Sequence, residues 1–338
     1  MNIVLVTDAW TPQVNGVVTT LTMVVGELRA MDHEVTVIAP DNSFKTIPCP
    51  TYPEIRLAIW PLHQVGAMIE AAQPDAVHIS TEGPLGLAAR RHCLRTGRLF
   101  TTAYHTKFPE YIHARCRLPL TLGYAAMRQF HGRAAGVMVA TQRVRSELES
   151  NGFKNIRDWS RGVDTEIFRP DYVPVLDLPR PINMYVGRVA VEKNLPAFLQ
   201  LDLPGSKVVV GDGPQLAELR RRFPEVHYTG AKFGAELAAH FATADVFVFP
   251  SRTDTFGLVT IESLACGTPV AAYPVPGPLD VIGDAPVGGL NEDLAAAVDT
   301  ALTRSRATCR AFALRFSWRS TAKLFLQNLA QSQLQSAK

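Results

Sequence analysis

The stretch SRTDTFGLVTIESLACG, residues 251–267, carries two carboxylates eight positions apart, Asp254 and Glu262, with an aromatic-glycine pair, Phe256-Gly257, between them. The preceding run DVFVFPS reads as a strand, and a helix is expected from near Phe256 or Gly257 to Ala265. The first-turn amides of Gly257, Leu258 and Val259 then have no intrahelical acceptor and suit a phosphate oxygen or a sugar hydroxyl. Asp254, ahead of that turn, can accept from the hydroxyls of a polyol. Glu262, about a turn and a half inside the helix, can take the two hydroxyls of a ribose. One carboxylate would hold a sugar, the other a nucleoside, and the helix end the diphosphate between them. The plainer alternative is an N-cap Asp followed by an exposed helical Glu.

Cations that suit a diphosphate stand upstream. YVGRVAVEKN places Arg188 just after a strand and Lys193 five residues later, a forked donor and a point charge near a helix start. Alone, the pair also reads as ordinary surface charge at a strand end. VVVGDGP closes a strand on Gly211 and Gly213, which let backbone come close to a ligand. The third glycine of a dinucleotide fingerprint is missing, and no phosphate-binding Gly-x-x-x-x-Gly-Lys-Ser/Thr occurs. There is no Asp-x-Asp either, so no obligatory metal is expected, the two cations taking the place of magnesium.

These residues need elements to position them. NIVLVT, EVTVIA, DAVHIS, LFTTAY and AGVMVA are short apolar runs separated mostly by helix-period stretches, the first from Val17 to Met31. The Pro-rich FRPDYVPVLDLPRP breaks the rhythm, which then restarts with INMYVG, KVVVGDG, VHYTG, ADVFVFP and PVAAY. Strands buried on both faces and alternating with helices imply parallel sheets. The expected fold is therefore α/β, two tandem doubly wound Rossmann-like domains facing a central cleft, with ligands beyond the carboxyl ends of the strands. We place the N-terminal domain at 1–167, a linker at 168–181 and the C-terminal domain at 182–316. A final helix within 317–338 is assigned back to the N-terminal domain.

The bulk properties narrow the classes. A chain of 338 residues with 47% hydrophobic and 19% charged residues is an ordinary globular composition, longer than one core usually supports. No apolar run is long enough to span a bilayer, and MNIVLVTDAW has no basic leader region, so a signal peptide is not expected. Five scattered cysteines without a Cys-x-x-Cys pair fit reduced thiols in a cytosol. The net charge of +3 is too small to argue for nucleic acid, but its distribution is uneven. Between Glu110 and Glu147 there are arginines (Arg115, Arg117, Arg128 and Arg133 among them) and no acid, and the chain beyond Asp299 is also acid-free. Such blocks are either a face directed at something anionic or solvated helix faces.

The motifs together resemble the family 4 retaining glycosyltransferases of GT-B architecture, across essentially the whole chain. An acid, seven residues and a glutamate enclosing Thr-Phe-Gly, followed by SLACGTPV, resembles the family signature. The Gly-Arg…Glu-Lys-Asn and Gly-Asp-Gly-Pro segments match as well, as do RGVDTEIFRP at the domain junction, PQVNGV near the start and YHTKFPEY in the first half. The likeness is strongest to enzymes that glycosylate lipids: sulfoquinovosyl, mannosyl and glycosyl-diacylglycerol transferases.

The resemblance implies roles. Gly16 lets its loop approach the donor, and His105, at a strand end within a matching segment, sits beside the transferred sugar. Arg188 and Lys193 neutralise the leaving diphosphate. Asp254 stands where the family more often has glutamate, one methylene longer, as the sugar-hydroxyl acceptor, with Phe256 among the donor-binding residues, and Glu262 binds ribose. The reaction is expected to retain anomeric configuration by front-face attack, moving a hexose from a UDP- or GDP-sugar to diacylglycerol or a glycolipid. YIHARCRLPLTLGYAAMRQFHGR mixes arginines with leucines and aromatics, and such a basic amphipathic segment, with Tyr104 nearby, suits an acceptor region on an anionic membrane surface. The expected location is cytoplasmic, peripheral to the inner face of the membrane. Four alternatives stay open: a soluble or polysaccharide acceptor, a nucleotide-sugar epimerase, a non-catalytic nucleotide-sugar sensor, and simple core packing of Leu120, Met127 and Phe130.

Overall fold

The computed structural model describes residues 1–13, 15–40, 43–49 and 52–334, without the side chains of residues 52–54, 114–115 and 332–334. The chain divides into two compact units, Met1–Arg161 with Trp318–Lys338, and Gly162–Ser317.

In the first unit the chain runs β1 (Asn2–Val6), α1 (Gly16–Arg29), β2 (Glu34–Ile38), a hairpin of β3 (Thr46–Cys49) and β4 (Tyr52–Ala58), then α2 (Leu62–Ala72). It continues through β5 (Ala76–Ile79), α3 (Pro84–Thr96), β6 (Phe100–Ala103), α4 (Phe108–Cys116) and α5 (Leu120–His131). β7 (Gly136–Val139), α6 (Gln142–Ser150) and β8 (Ile156–Asp158) complete the run. Six strands pair in parallel in the order β2-β1-β5-β6-β7-β8, so the winding direction reverses between β1 and β5. The central strands β5, β6 and β7 are buried at every position, which requires helices on both faces. Val65 of α2, Leu85 of α3, Phe130 of α5 and Leu148 of α6 share one core on one face.

The second unit runs β9 (Ile182–Val186), a single 3-10 turn (Val191–Lys193), α7 (Leu195–Leu199), β10 (Ser206–Val210), α8 (Leu216–Arg222) and β11 (His227–Gly230). It continues with α9 (Gly234–Thr243), β12 (Val246–Phe249), α10 (Leu258–Ala265), β13 (Val270–Ala272), α11 (Pro276–Val281), β14 (Gly288–Leu290), α12 (Leu294–Leu302) and α13 (Arg306–Ala313). Its parallel sheet is ordered β11-β10-β9-β12-β13-β14, which counted from β9 is the 3-2-1-4-5-6 order of a Rossmann sheet. The reversal falls between β9 and β12. The Pro-rich stretch read as a linker belongs to this unit: Val175 N–H donates to Thr243 Oγ1 at 3.0 Å, and Arg180 pairs with Asp245 at 2.5 Å.

The last helix, α14 (Trp318–Leu334), closes the other face of the first sheet. Phe325 is fully buried, its ring 4.8 Å from His78 of β5 and 5.1 Å from Trp159, whose indole donates to the Thr321 carbonyl at 3.2 Å. The α/β fold with two Rossmann-like, parallel-sheet halves is thus present as expected. The β3–β4 hairpin, β8 and β14 lie outside the sequence expectation, because β3, β8 and β14 are short and the hairpin and β14 contain Pro or Gly rather than an apolar run.

Candidate functional site

In the second sheet β12 pairs directly with β9, and this pair is the switch point where ligands of such sheets bind beyond the strand ends. The loop after β9 carries Arg188 and Lys193; the loop after β12 carries Asp254, Phe256 and Gly257. Side chains join the two loops. Asn194, in left-handed backbone at φ 54°, donates from Nδ2 to the Pro250 carbonyl at 3.2 Å. The Ser251 and Thr253 hydroxyls both donate to the Glu192 carbonyl at 3.4 Å. Lys193 Nζ donates to Asp254 Oδ1 at 2.5 Å, the two side chains being only 19% and 16% exposed. The two residues assigned separate roles from sequence are therefore in contact. The second oxygen, Asp254 Oδ2, is buried without a hydrogen-bond partner among the described residues. A buried carboxylate oxygen in that condition is an acceptor awaiting a donor.

Gly257, at φ 80°, is the N-cap of α10, and no side chain caps the helix. A Cβ there would meet Phe249 at 3.0 Å and Thr260 Oγ1 at 3.2 Å. The alternative of an Asp N-cap is thereby set aside: Asp254 lies before the cap and is bound to Lys193. Leu258 and Val259 occupy the first two helical positions, with N–H groups that have no intrahelical acceptor. Phe256 is buried, its ring edge-on to Phe316 at 6.3 Å, so it supports the loop from below rather than presenting a face. Glu262 is half-buried, and burial pushes its carboxyl up to about 7. Tyr185 of β9 anchors the other side: its hydroxyl donates to the Arg188 carbonyl at 2.8 Å and stays protonated through burial and the nearby charges of Asp254 and Glu192.

Gly211 and Gly213, at φ 156° and 157°, serve a different approach from the one expected. A Cβ on Gly211 would lie 1.9 Å from the Gly187 carbonyl oxygen, and one on Gly213 2.4 Å from that of Val189. They let the loop after β10 pack against the loop after β9, and so fix the backbone around Arg188.

In the first unit Gly16 is the first residue of α1, and Asn15 Oδ1 accepts from the Val17 and Val18 amides at 3.0 Å each. Val14 of the same motif lies outside the described residues. At the β1–β5 reversal Asp8 accepts from the Leu85 amide at 2.9 Å and from the Thr81 hydroxyl at 2.8 Å, and so caps α3 from a distance. His105 follows β6. The buried Arg161 guanidinium donates from Nη2 to His105 Nδ1 at 3.3 Å while lying 4.5 Å over the Trp159 ring. Arginine has only donors, so Nδ1 must be the acceptor and the ring proton sits on Nε2. Burial first, and then the Arg161 charge, holds His105 well below its ordinary pKa, making it a neutral donor. Arg161 belongs to the recognised RGVDTEIFRP run, yet its service to His105 left no trace in the sequence.

Tyr104, expected at the acceptor surface, is instead 1% exposed within the first core. The basic segment is no single helix: it breaks at Arg117, left-handed at φ 53°, between α4 and α5. Arg117 and Arg133 are exposed, Arg128 donates to the Asn151 carbonyl at 2.7 Å, and the Arg115 side chain lies outside the described residues. The acid-free C-terminal block is not an open cationic face either. Arg304, Arg306 and Arg310 donate to backbone carbonyls of Gly288, Ala244 and Phe168, binding α13 to the second unit.

Comparison with known proteins agrees with the fold. Residues 14–167 match the family model described as Glycosyltransferase Family 4, and residues 180–304 match Glycosyl transferases group 1. A GDP-mannose-dependent alpha-mannosyltransferase of Mycobacterium tuberculosis is 30% identical over 309 residues, covering 83% of this chain and 81% of the relative. An alpha-monoglucosyldiacylglycerol synthase of Streptococcus pneumoniae is 28% identical over 346 residues, covering 89% and 78%. Among solved structures, a sucrose-phosphate synthase from Thermosynechococcus elongatus superposes with a TM-score of 0.77 at 20% identity, covering 99% of each chain.

Proposed function

This chain belongs to glycosyltransferase family 4 and uses a nucleotide sugar, and from that premise we propose that it is a retaining hexosyltransferase acting on a membrane lipid, diacylglycerol or a glycolipid. The observation that carries the reading is Asp254, with one oxygen on Lys193 and the other buried and unpartnered, beside the uncapped start of α10. In this reading Asp254 Oδ2 accepts from a hydroxyl of the transferred sugar, and the Leu258 and Val259 amides take diphosphate oxygens. Arg188 and Lys193 stabilise the charge that develops on the leaving group, so the reaction needs no metal. Glu262 holds the ribose diol.

In the front-face step the bond between the anomeric carbon and the phosphate oxygen breaks, and the acceptor oxygen bonds to that carbon from the same side. The acceptor's proton passes to the departing phosphate oxygen. His105, held neutral with its proton on Nε2, is too weak a base to serve as the proton acceptor. The lipid acceptor is supported by the name of the pneumococcal relative and by the apolar side chains exposed on α4 and α5, Phe108, Ile112, Leu120 and Leu122. None of the described helices is long and apolar enough to cross a membrane, so attachment in this reading is peripheral.

The test is a donor screen of UDP-glucose, UDP-galactose, UDP-glucuronate and GDP-mannose by thermal shift, with diacylglycerol liposomes and a product assay with and without EDTA. A donor that raises the melting temperature and appears in an EDTA-insensitive lipid product is the expected result. Stabilisation with product only on a soluble glycan would move the acceptor, and no stabilisation by any donor would sink the reading of Asp254 and Glu262.

A further inference from the structure

Outside the donor site, the first unit has a surface whose composition the sequence blocks did not reveal. The outward stripe of α3 reads Leu87, Arg91, Leu94, Arg95, with both leucines about half exposed and both arginines exposed. This stripe lines one wall of a shallow groove whose other end reaches Leu62, the first residue of α2. On its far side the groove continues across Arg90 and Leu94 to Arg128, Gln129 and Arg133 at the end of α5. Arg90 forms the bridge, donating to the Gln129 and Phe130 carbonyls at 2.6 and 2.8 Å, which fixes α3 against α5.

Two features point to an occupant. No carboxylate lines either part of the groove, and Arg91, Arg95 and Arg133 have no ion-pair partner among the described residues. Five guanidinium groups thus line one groove, and burial first, then the Arg133 charge, pulls Arg90 below its ordinary pKa. The rim is also apolar: Leu62, Leu87 and Leu94 are exposed, and Trp60, two residues before Leu62, is 88% exposed. Alternating leucine and arginine with a neighbouring tryptophan matches a bilayer interface, where phosphates meet the cations and acyl chains meet the leucines. A nucleic acid would satisfy the charge but leave the leucines and Trp60 in water.

We infer that the groove between α3 and the end of α5, centred on Arg90, Arg91, Arg95 and Arg133, is the surface by which this chain docks on an anionic phospholipid bilayer. The inference rests on the membrane-lipid reading above and deepens it. It also relocates the contact: Arg133 and Arg128 of the basic block take part because they meet α3, whereas Arg117 at the α4–α5 break lies outside the groove. Arg91 and Arg95 face solvent, and the residues assigned to the donor site belong to the other unit.

The experiment is flotation of the full chain with phosphatidylcholine vesicles, with and without phosphatidylglycerol. It compares wild type, Arg91→Glu/Arg95→Glu, Arg133→Glu and Arg117→Glu, with donor-induced thermal shift measured in parallel. The expected result is phosphatidylglycerol-dependent flotation that falls at least about tenfold in Arg91→Glu/Arg95→Glu and clearly in Arg133→Glu, while Arg117→Glu floats like wild type. Donor-induced stabilisation should be the same in all four. Loss in Arg117→Glu with retention in the groove variants would overturn the inference and leave the membrane reading standing. Equal flotation with neutral and anionic vesicles would overturn it, as would binding of a short single-stranded RNA through the same arginines without vesicle binding. Failure of every donor to stabilise the wild type would remove the donor reading alone, since flotation does not depend on it.

Discussion

Lys193 Nζ and Asp254 Oδ1 are 2.5 Å apart across the switch point of the second sheet, joining the loop after β9 to the loop after β12. The pair does two things: it neutralises a largely buried cation and aims the remaining carboxylate oxygen. Asp254→Asn keeps the shape and removes the charge, and it should lower kcat by about 10²–10³ with a smaller change in donor affinity. Asp254→Ala also leaves the ammonium without its counter-ion and should cost about 1–3 kcal/mol of stability, discounted for partial exposure. Steady-state kinetics and urea melts of the two variants check this. Equal kcat loss and equal stability loss in both would mean the carboxylate acts only as a structural partner of Lys193. Asp254→Glu, which restores the methylene, should change the ranking of donor sugars in a competition assay.

Glu262 gives a pH dependence of definite sign. Burial raises its folded pKa to about 7 from an ordinary 4.5, so the stability it contributes is full below the ordinary value and lost as pH rises through about 7. In the proposed ribose role the diol needs the carboxylate, so donor binding should be full above about 7 and weaken as pH falls below it, by up to about tenfold per pH unit. Calorimetry in buffers of different ionisation heat should show proton release on binding near neutrality. Glu262→Gln should raise the melting temperature of the free protein at pH 8 by a few degrees. The same variant should weaken the donor and flatten its pH profile. A variant with unchanged donor affinity would exclude the ribose role.

A second titration lies in the first unit. The Tyr124 hydroxyl sits between Glu110 Oε1, at 2.5 Å, and Glu147 Oε1, and Glu147 Oε2 accepts from Lys107 at 2.5 Å. One phenolic proton cannot serve two carboxylates, so one carboxyl donates. Lys107 marks Glu147 as the anion and Glu110 as the acid, whose pKa burial raises, while Lys107 and Tyr124 hold that of Glu147 low against its own burial. The Glu110 contribution is lost as pH rises above the usual carboxylate range, and the Glu147 contribution as pH falls below it. Stability of the first unit should therefore peak between the two, and Tyr124→Phe should cost about 2 kcal/mol and flatten the peak. Urea melts from pH 4 to 9 test it; an unchanged profile in Tyr124→Phe would show that the carboxyls titrate independently.

The fold class was legible because buried parallel strands announce themselves as short apolar runs, and β5, β7, β9 and β12 are such runs. The hairpin and β14 were not, since a strand reading Gly-Gly-Leu is made by its neighbours rather than by propensity. At the site, Asp254, Lys193 and Gly257 could be picked out by type and spacing, but not the contact between the first two. It depends on β9 and β12 being adjacent in the sheet although 60 residues apart in the chain. Arg161 stands within a motif, but nothing in the sequence pairs it with His105, because their meeting is tertiary. The arginines of α3 stand in an acid-free run of their own, between Glu82 and Glu110, but their meeting with Arg128 and Arg133 is tertiary and leaves no mark in the sequence.

The last helix supplies a prediction about folding order in the chain. All four tryptophans, Trp10, Trp60, Trp159 and Trp318, belong to the first unit, so tryptophan fluorescence excited at the red edge, where tyrosine does not absorb, reports on that unit alone. Phe325 fills the space between His78 and Trp159 on the sheet face that α14 covers, and it is fully buried. Phe325→Ala should cost about 3–5 kcal/mol through lost burial and the cavity left behind. The fluorescence transition in urea should move to lower denaturant accordingly. Donor-induced protection of α10 in hydrogen exchange should persist, because α10 lies in the other unit. Truncation before Trp318 should go further, exposing Trp159 and His78 to water and abolishing the cooperative fluorescence transition. If the truncated chain kept that transition, the first unit would be shown to fold without the segment that returns to it from the far end of the sequence.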